Sequence, residues 1–119
     1  MLNKKVGLAL AAMLLAPVAA YADDAPAAFN ACKACHKTEA GKHGVGPSLA
    51  GVFGAKAGHA DGYKYSEAHL KSGLTWDEAT LSKYIADPKS TVPGNKMAFA
   101  GLKKPEDVAA VVAYLKTLK

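Results

Sequence analysis

Apolar residues recur at helical spacing in several stretches of this chain, and no stretch alternates convincingly as a strand would. The last stretch is the clearest. Val108, Val111, Val112, Leu115 and Leu118 fall at i, i+3, i+4, i+7 and i+10 and predict one helix from Pro105 to about Leu118. Pro105 at its start, Glu106 and Asp107 in its first turn and Lys116 and Lys119 at its end suit the helix polarity. An earlier helix is expected to open at Thr75-Trp76-Asp77-Glu78, which reads as a capping box, and to stop at Asp87-Pro88, with Leu81, Tyr84 and Ile85 on its inward face. A short helix fits Ser66 to Lys71. Asp24 and Pro26 start another that carries Phe29, against which the last helix should pack. Between these lie loops: seven of the eleven glycines fall between Gly41 and Gly62, and Val92 to Phe99 join two helices. The expected architecture is all-α and single-domain, without internal repeats.

The first 22 residues read differently from the rest. Lys4 and Lys5, an apolar run from Val6 to Ala16 and the small-x-small end Ala20-Tyr21-Ala22 form the pattern of a cleaved signal peptide, leaving residues 23–119 as the working domain. The run is too short to span a bilayer comfortably, which takes about 20 residues. Removing it leaves 13 lysines against ten acidic residues, a mildly basic balance that does not point to nucleic acid. It also leaves Met97 as the single methionine. Export to the periplasm, or an equivalent extracytoplasmic compartment, would drive two idle cysteines toward a disulfide, and a covalent use would consume both.

That use is written in Cys32-Lys33-Ala34-Cys35-His36. C-x-x-C-H is the signature of covalent c-type haem attachment, with two thiols to add to the two vinyl groups and an imidazole to bind the iron. On a helix, residues three and four apart share one face, so Cys32, Cys35 and His36 can grip one edge of a flat ring. Two Cys and four His in 119 residues would produce this order by chance roughly once in a thousand such chains. A thioredoxin-like dithiol would need a βαβ context that the flanks do not offer, and a structural zinc would need a second ligand pair. A domain this short has a thin core of its own, which a large apolar ring would complete. Gly46-Pro47-Ser48-Leu49 follows the motif, and the Pro47 carbonyl is a candidate acceptor for the second N–H of His36. For the iron's other face the candidates are Met97, held on a Pro93-Gly94 turn, and His43, His59 and His69, with Met97 favoured as the lone thioether. Trp76 and Tyr84 read from pattern alone as core residues whose polar atoms need partners.

These residues, together with Gly51-Val52-Phe53-Gly54, Gly62-Tyr63-Lys64-Tyr65-Ser66, Pro93 to Gly101 and Ala113-Tyr114-Leu115-Lys116, resemble the class I c-type cytochromes, the mitochondrial type and its short bacterial relatives, over nearly all of residues 24–118. The resemblance implies a small all-α fold of helices and loops wrapped around one covalent haem c. It implies His36 and Met97 as axial ligands, Pro47 as the histidine's partner, Tyr65 and Trp76 as donors to a propionate, and Tyr84 near the Met sulfur. Ala55, His69 and Asn95 depart from the mitochondrial pattern, which has Arg, Asn and commonly Thr there.

With both axial positions taken, the chemistry left is one-electron exchange between Fe(III) and Fe(II), so the expected function is an electron carrier and not an enzyme. A haem enzyme or a gas or redox sensor with a displaceable sixth ligand is the alternative. Lys33, Lys37, Lys56, Lys89 and Lys96 are expected to surround an exposed ring edge and steer partners with acidic docking surfaces. Those partners would be a reductase or oxidase, a reaction centre or a periplasmic dehydrogenase, met transiently by a monomer, some of them in membrane-bound complexes.

Overall fold

The structure, a computed structural model, describes residues 25–119. The expected signal and the Asp24 start lie outside the described residues. Pro26, in extended backbone, admits a single 3-10 turn at Ala27–Phe29, which runs directly into α1, Asn30–Lys33. The expected first helix is therefore brief, and its successors explain why. The carbonyls of Cys35 and Lys37 accept from the amides of Gly46 (2.8 Å) and Leu49 (2.9 Å), so a returning loop takes the acceptors that further helix would have used.

After that loop come α2, Glu67–Lys71, capped by Ser66, whose hydroxyl accepts from the His69 amide at 3.0 Å, and α3, Glu78–Ala86. The cap of α3 is Asp77, accepting from the Thr80 amide at 2.8 Å, and not the Thr75 of the expected capping box. Trp76 decides this. Its amide donates to Ala55 and its carbonyl accepts from Gly54, both at 2.8 Å, which holds residues 75–76 extended beside the loop. Bonding to Thr80 in turn holds the exposed Asp77 carboxyl below the usual carboxylate range.

Asp87-Pro88 ends α3 as expected but also starts α4, Pro88–Thr91, because proline is suited to a first helical position and Asp87 caps it by accepting from Ser90 at 3.3 Å. The last helix, α5, spans Pro105–Leu115, and the chain beyond tightens into i to i+3 bonds at Thr117 and Leu118. Gly101, with φ +109°, lets the chain into α5 pass the end of α3, since a Cβ there would run into the Ala86 carbonyl.

α5 packs on α3 and on the 3-10 turn. Phe29 meets Tyr114 edge to face with centroids 4.8 Å apart, and Phe29 and Val111, both 1% exposed, sit at the centre of the core. Each such side chain contributes about 1.5–3 kcal/mol by leaving water. The Lys116–Glu78 ion pair across the same interface, 2.7 Å but exposed, adds little. Phe29, Trp76, Leu81, Tyr84, Ile85, Val111 and Leu115 belong both to this core and to the wall of a large cleft. No described helix is long and apolar enough to cross a membrane.

Candidate functional site

The cleft encloses about 1350 Å³ of space, its open mouth included, and the attachment motif and the Met97 loop both line it. On one wall the motif closes a helical turn of its own: the amides of Cys35 and His36 both donate to the Cys32 carbonyl, at 3.1 and 2.9 Å. Cys32, Cys35 and His36 thus share the pocket side of one turn although α1 ends at Lys33. The two thiols are free and half-buried, and burial, then the neighbouring Cys35, pushes the Cys32 thiol up.

His36 is fixed by the loop behind it. Its Nδ1 lies 2.7 Å from the Pro47 carbonyl, which can only accept, so Nδ1 carries the proton and Nε2 keeps its lone pair. Burial lowers the imidazole's proton affinity, against the opposing pull of the Pro47 bond, which favours the neutral, lone-pair-bearing ring that a metal requires. The loop can come this close because residue 46 is glycine: a Cβ there would lie 2.5 to 2.9 Å from three atoms of the His36 ring.

On the other wall, Met97 is held by a residue whose positioning role the sequence reading missed. Asn95 donates its side-chain amide to the carbonyls of Pro88 (3.0 Å) and Val92 (2.9 Å) and accepts from the Met97 amide at 2.7 Å. The only signal for it was its place two residues before the methionine, because its acceptors come from the unexpected α4 and the residue just after it. Tyr84 approaches the thioether, with Oη 4.0 Å from the Met97 sulfur. Burial, then the neighbouring Tyr63, pushes the Tyr84 phenol up to about 12.

The remaining candidates separate by geometry. His59 and His69 line the cleft. His43 has both ring nitrogens engaged, Nε2 with the Asp61 carbonyl at 2.7 Å and Nδ1 accepting from the Ser48 amide at 3.0 Å, so it braces the loop. Tyr65 lines the cleft and accepts from the Ala60 amide, leaving its own hydrogen to give. Trp76 is 4% exposed, and its indole N–H meets no protein acceptor among the described residues. No buried side-chain polar atom is left unpaired, so that N–H opens onto the cleft. Lys33, Lys37, Lys56, Lys89 and Lys96 are all exposed. Lys96 lines the cleft, 5.3 Å above the Tyr63 ring, Lys33 lies inside the motif and Lys37 directly after it, while Lys56 and Lys89 sit on an isolated bridge with Thr75 and on α4.

The donor set suits haem c. Two thiols on one turn, an imidazole with a free Nε2, a thioether from the facing loop and two unspent polar hydrogens line a mainly apolar cleft. No three His, Cys, Asp or Glu side chains converge as a metal cluster among the described residues.

Comparison with known proteins agrees with this chemistry. The cytochrome c family profile matches residues 22–119. Cytochrome c2 iso-2 of Magnetospirillum molischianum is 71% identical over 96 residues, covering 81% of this chain and 99% of that protein. Cytochrome c2 of Rhodoplanes tepidamans is 67% identical over 97 residues, with 81% and 99% covered. Cytochrome cH from Methylobacterium extorquens, a solved structure, superposes with a TM-score of 0.72 at 59% identity, covering 76% of this chain and 91% of that one.

Two outcomes follow for the site. Gly46→Ala should displace the His36 ring, and the fraction of protein carrying covalent haem after co-expression with the maturation machinery should drop severalfold; unchanged loading and an unchanged spectrum would contradict the close approach. Tyr84 should ionise late, well above the ordinary tyrosine range. Its folded pKa lies above the unfolded value of about 10, so its contribution to stability is complete below that pH and is lost as pH rises toward about 12. An alkaline ultraviolet titration of wild type and Tyr84→Phe should show this late phase in the wild type alone.

Proposed function

Because the chain belongs to the cytochrome c family and is a one-electron carrier of the cytochrome c2 kind, with cysteines positioned for covalent haem c, we propose that His36, through Nε2, and Met97, through its thioether, would hold the haem iron, with no other side chain of the chain bound to it. The observation that carries this reading is that one cleft is lined both by His36, its proton held on Nδ1 by Pro47, and by the thioether of Met97, whose backbone Asn95 braces. Haem, when bound, supplies the Fe(III)/Fe(II) couple that stores and releases one electron.

The chain's own residues do the rest. Cys32 and Cys35 tether the ring through their thiols. Pro47 keeps His36 in the ligating tautomer, Tyr84 donates toward the Met97 sulfur, and Tyr65 and Trp76 offer their hydrogens to a propionate. The apolar wall of Phe29, Leu81, Ile85, Val111 and Leu115 excludes water, and a soft sulfur donor in a dry site favours the reduced state. Exposed Lys33, Lys37, Lys56, Lys89 and Lys96 present positive charge to partners with acidic docking surfaces, such as a reductase, an oxidase, a reaction centre or a periplasmic dehydrogenase. In the same reading residues 1–22 are an export signal and residues 23–119 work in the periplasm as a monomer. The start of the family match at residue 22 and the fate of the two thiols support that division.

Protein matured with haem should give a low-spin spectrum with the sulfur-to-iron charge-transfer band, and Met97→Ala should abolish that band and lower the reduction potential. A variant with an unchanged spectrum and potential would remove Met97 from the iron and favour a displaceable ligand, as in a sensor. Electron exchange with a negatively charged partner should slow several-fold as ionic strength is raised from about 0.01 to about 0.15 M; a rate indifferent to salt would dismiss the lysines as a steering surface.

A further inference from the structure

The ligand set leaves one pocket histidine without a task. His69 lies on α2, with its backbone committed: the amide donates to Ser66 and the carbonyl accepts from the Ser72 hydroxyl at 2.8 Å. Its imidazole lies flat on Tyr65 (centroids 4.9 Å, planes 14° apart), tilted against Trp76 (5.6 Å) and edge-on to Tyr84 (6.2 Å), and it lines the cleft. Three aromatic rings therefore hold it, yet neither ring nitrogen has a protein hydrogen-bond partner among the described residues. No buried side-chain polar atom is left unpaired, so these nitrogens are not sealed off from solvent, and water can bring a proton.

The groups that face it are few. From the preceding loop come His59, Tyr63 and Tyr65, from α3 Tyr84, and from the Met97 loop Lys96, standing over Tyr63. On its own helix Glu67 and Lys71 are spent on each other at 2.8 Å in solvent. Burial, and secondarily His59, lower its proton affinity. None of these side chains is an anion; the one negative charge the reading above brings near the imidazole is the propionate that Tyr65 and Trp76 would hold, which favours its charged form against the burial that disfavours it, so its charge can answer a change of charge inside the cleft. Tyr84 meets its ring edge-on and reaches to 4.0 Å from the Met97 sulfur.

We propose that His69 is a redox-linked proton site, which binds a proton more tightly in the reduced protein than in the oxidised one and so makes the reduction potential depend on pH. This rests on the ligand assignment above, since it needs the changing charge to lie in this cleft. When an electron arrives from a reduced partner protein the cleft loses one positive charge, and His69 takes up a proton from water. When the electron leaves for an acceptor that proton returns to water. The linkage is reciprocal: protonation of His69 raises the affinity for the electron by the same factor as reduction raises the affinity for the proton. One charge felt across a partly solvated pocket changes proton affinity on the order of 3- to 20-fold. The sign is set. The potential is high and flat below the imidazole pKa of the oxidised protein, falls with rising pH up to that of the reduced protein, and is flat again above it.

Matured holoprotein would be titrated potentiometrically from about pH 5 to about pH 9, the range in which histidines change charge, as wild type, His69→Asn and His69→Gln. In parallel the His69 ring proton would be followed by NMR in each oxidation state of the wild type. We expect a potential that falls with pH in the wild type, a profile without that step in both variants, and a wild-type imidazole pKa higher in the reduced state. A flat wild-type profile, a step that persists in both variants, or one and the same pKa in the two states would overturn the proposal, a persistent step assigning the proton to another group such as a propionate or His59. Holoprotein with a normal low-spin spectrum and any of these results sinks this proposal alone. Protein that takes up no haem sinks the ligand assignment, and this proposal with it.

Discussion

One hydrogen bond organises the site: the 2.7 Å contact between His36 Nδ1 and the Pro47 carbonyl. It selects the tautomer, orients the ring and turns Nε2 toward the cleft, all of which a free imidazole would leave to chance. The bond exists because the loop behind it is laced to the motif through the carbonyls of Cys35 and Lys37, and because Gly46 has no side chain to hold the two backbones apart. His43 completes the brace from outside, pairing with Ser48 and Asp61 and so joining two parts of the glycine-rich loop. The short first helix is the other side of the same arrangement, since acceptors given to the loop cannot also extend a helix.

The opposite wall solves a different problem. A methionine has a flexible side chain and no strong polar handle, so its direction must come from backbone and neighbours. Asn95 supplies the backbone constraint with three hydrogen bonds reaching α4, the turn after it and Met97 itself, and Tyr84 comes up to the sulfur from α3.

The core is shared property. Phe29, Leu81, Ile85, Val111 and Leu115 belong both to the apolar core and to the lining of the cleft, so much of the core is shared with the site. In so short a chain the side chains cannot bury enough surface among themselves, and a large ring against these residues adds apolar contact where the protein has least of it. Electron exchange suits such a site, because a packed, mainly apolar surround lets the iron change charge with little rearrangement. His69 is the exception, a titratable ring placed among aromatic ones where charge is the only thing that changes.

Much of this was legible in the chain itself, wherever the physics is local. The C-x-x-C-H spacing dictates one turn with two thiols and an imidazole together, the stripe from Val108 to Leu115 dictates a helix with one buried face, and the lone thioether restricts the choice of sulfur donor. The capping of α3 was misread because Trp76 is held extended by a segment twenty residues earlier, and α4 was missed because Asp87-Pro88 reads equally well as an end and as a beginning. The role of Asn95, the double engagement of His43 and the aromatic cage of His69 lay beyond local pattern altogether. Each depends on partners brought in by the packing of other elements. Spacing along a chain specifies which side chains share a face, whereas only the closed fold specifies which lone pair, hydrogen or ring each of them meets.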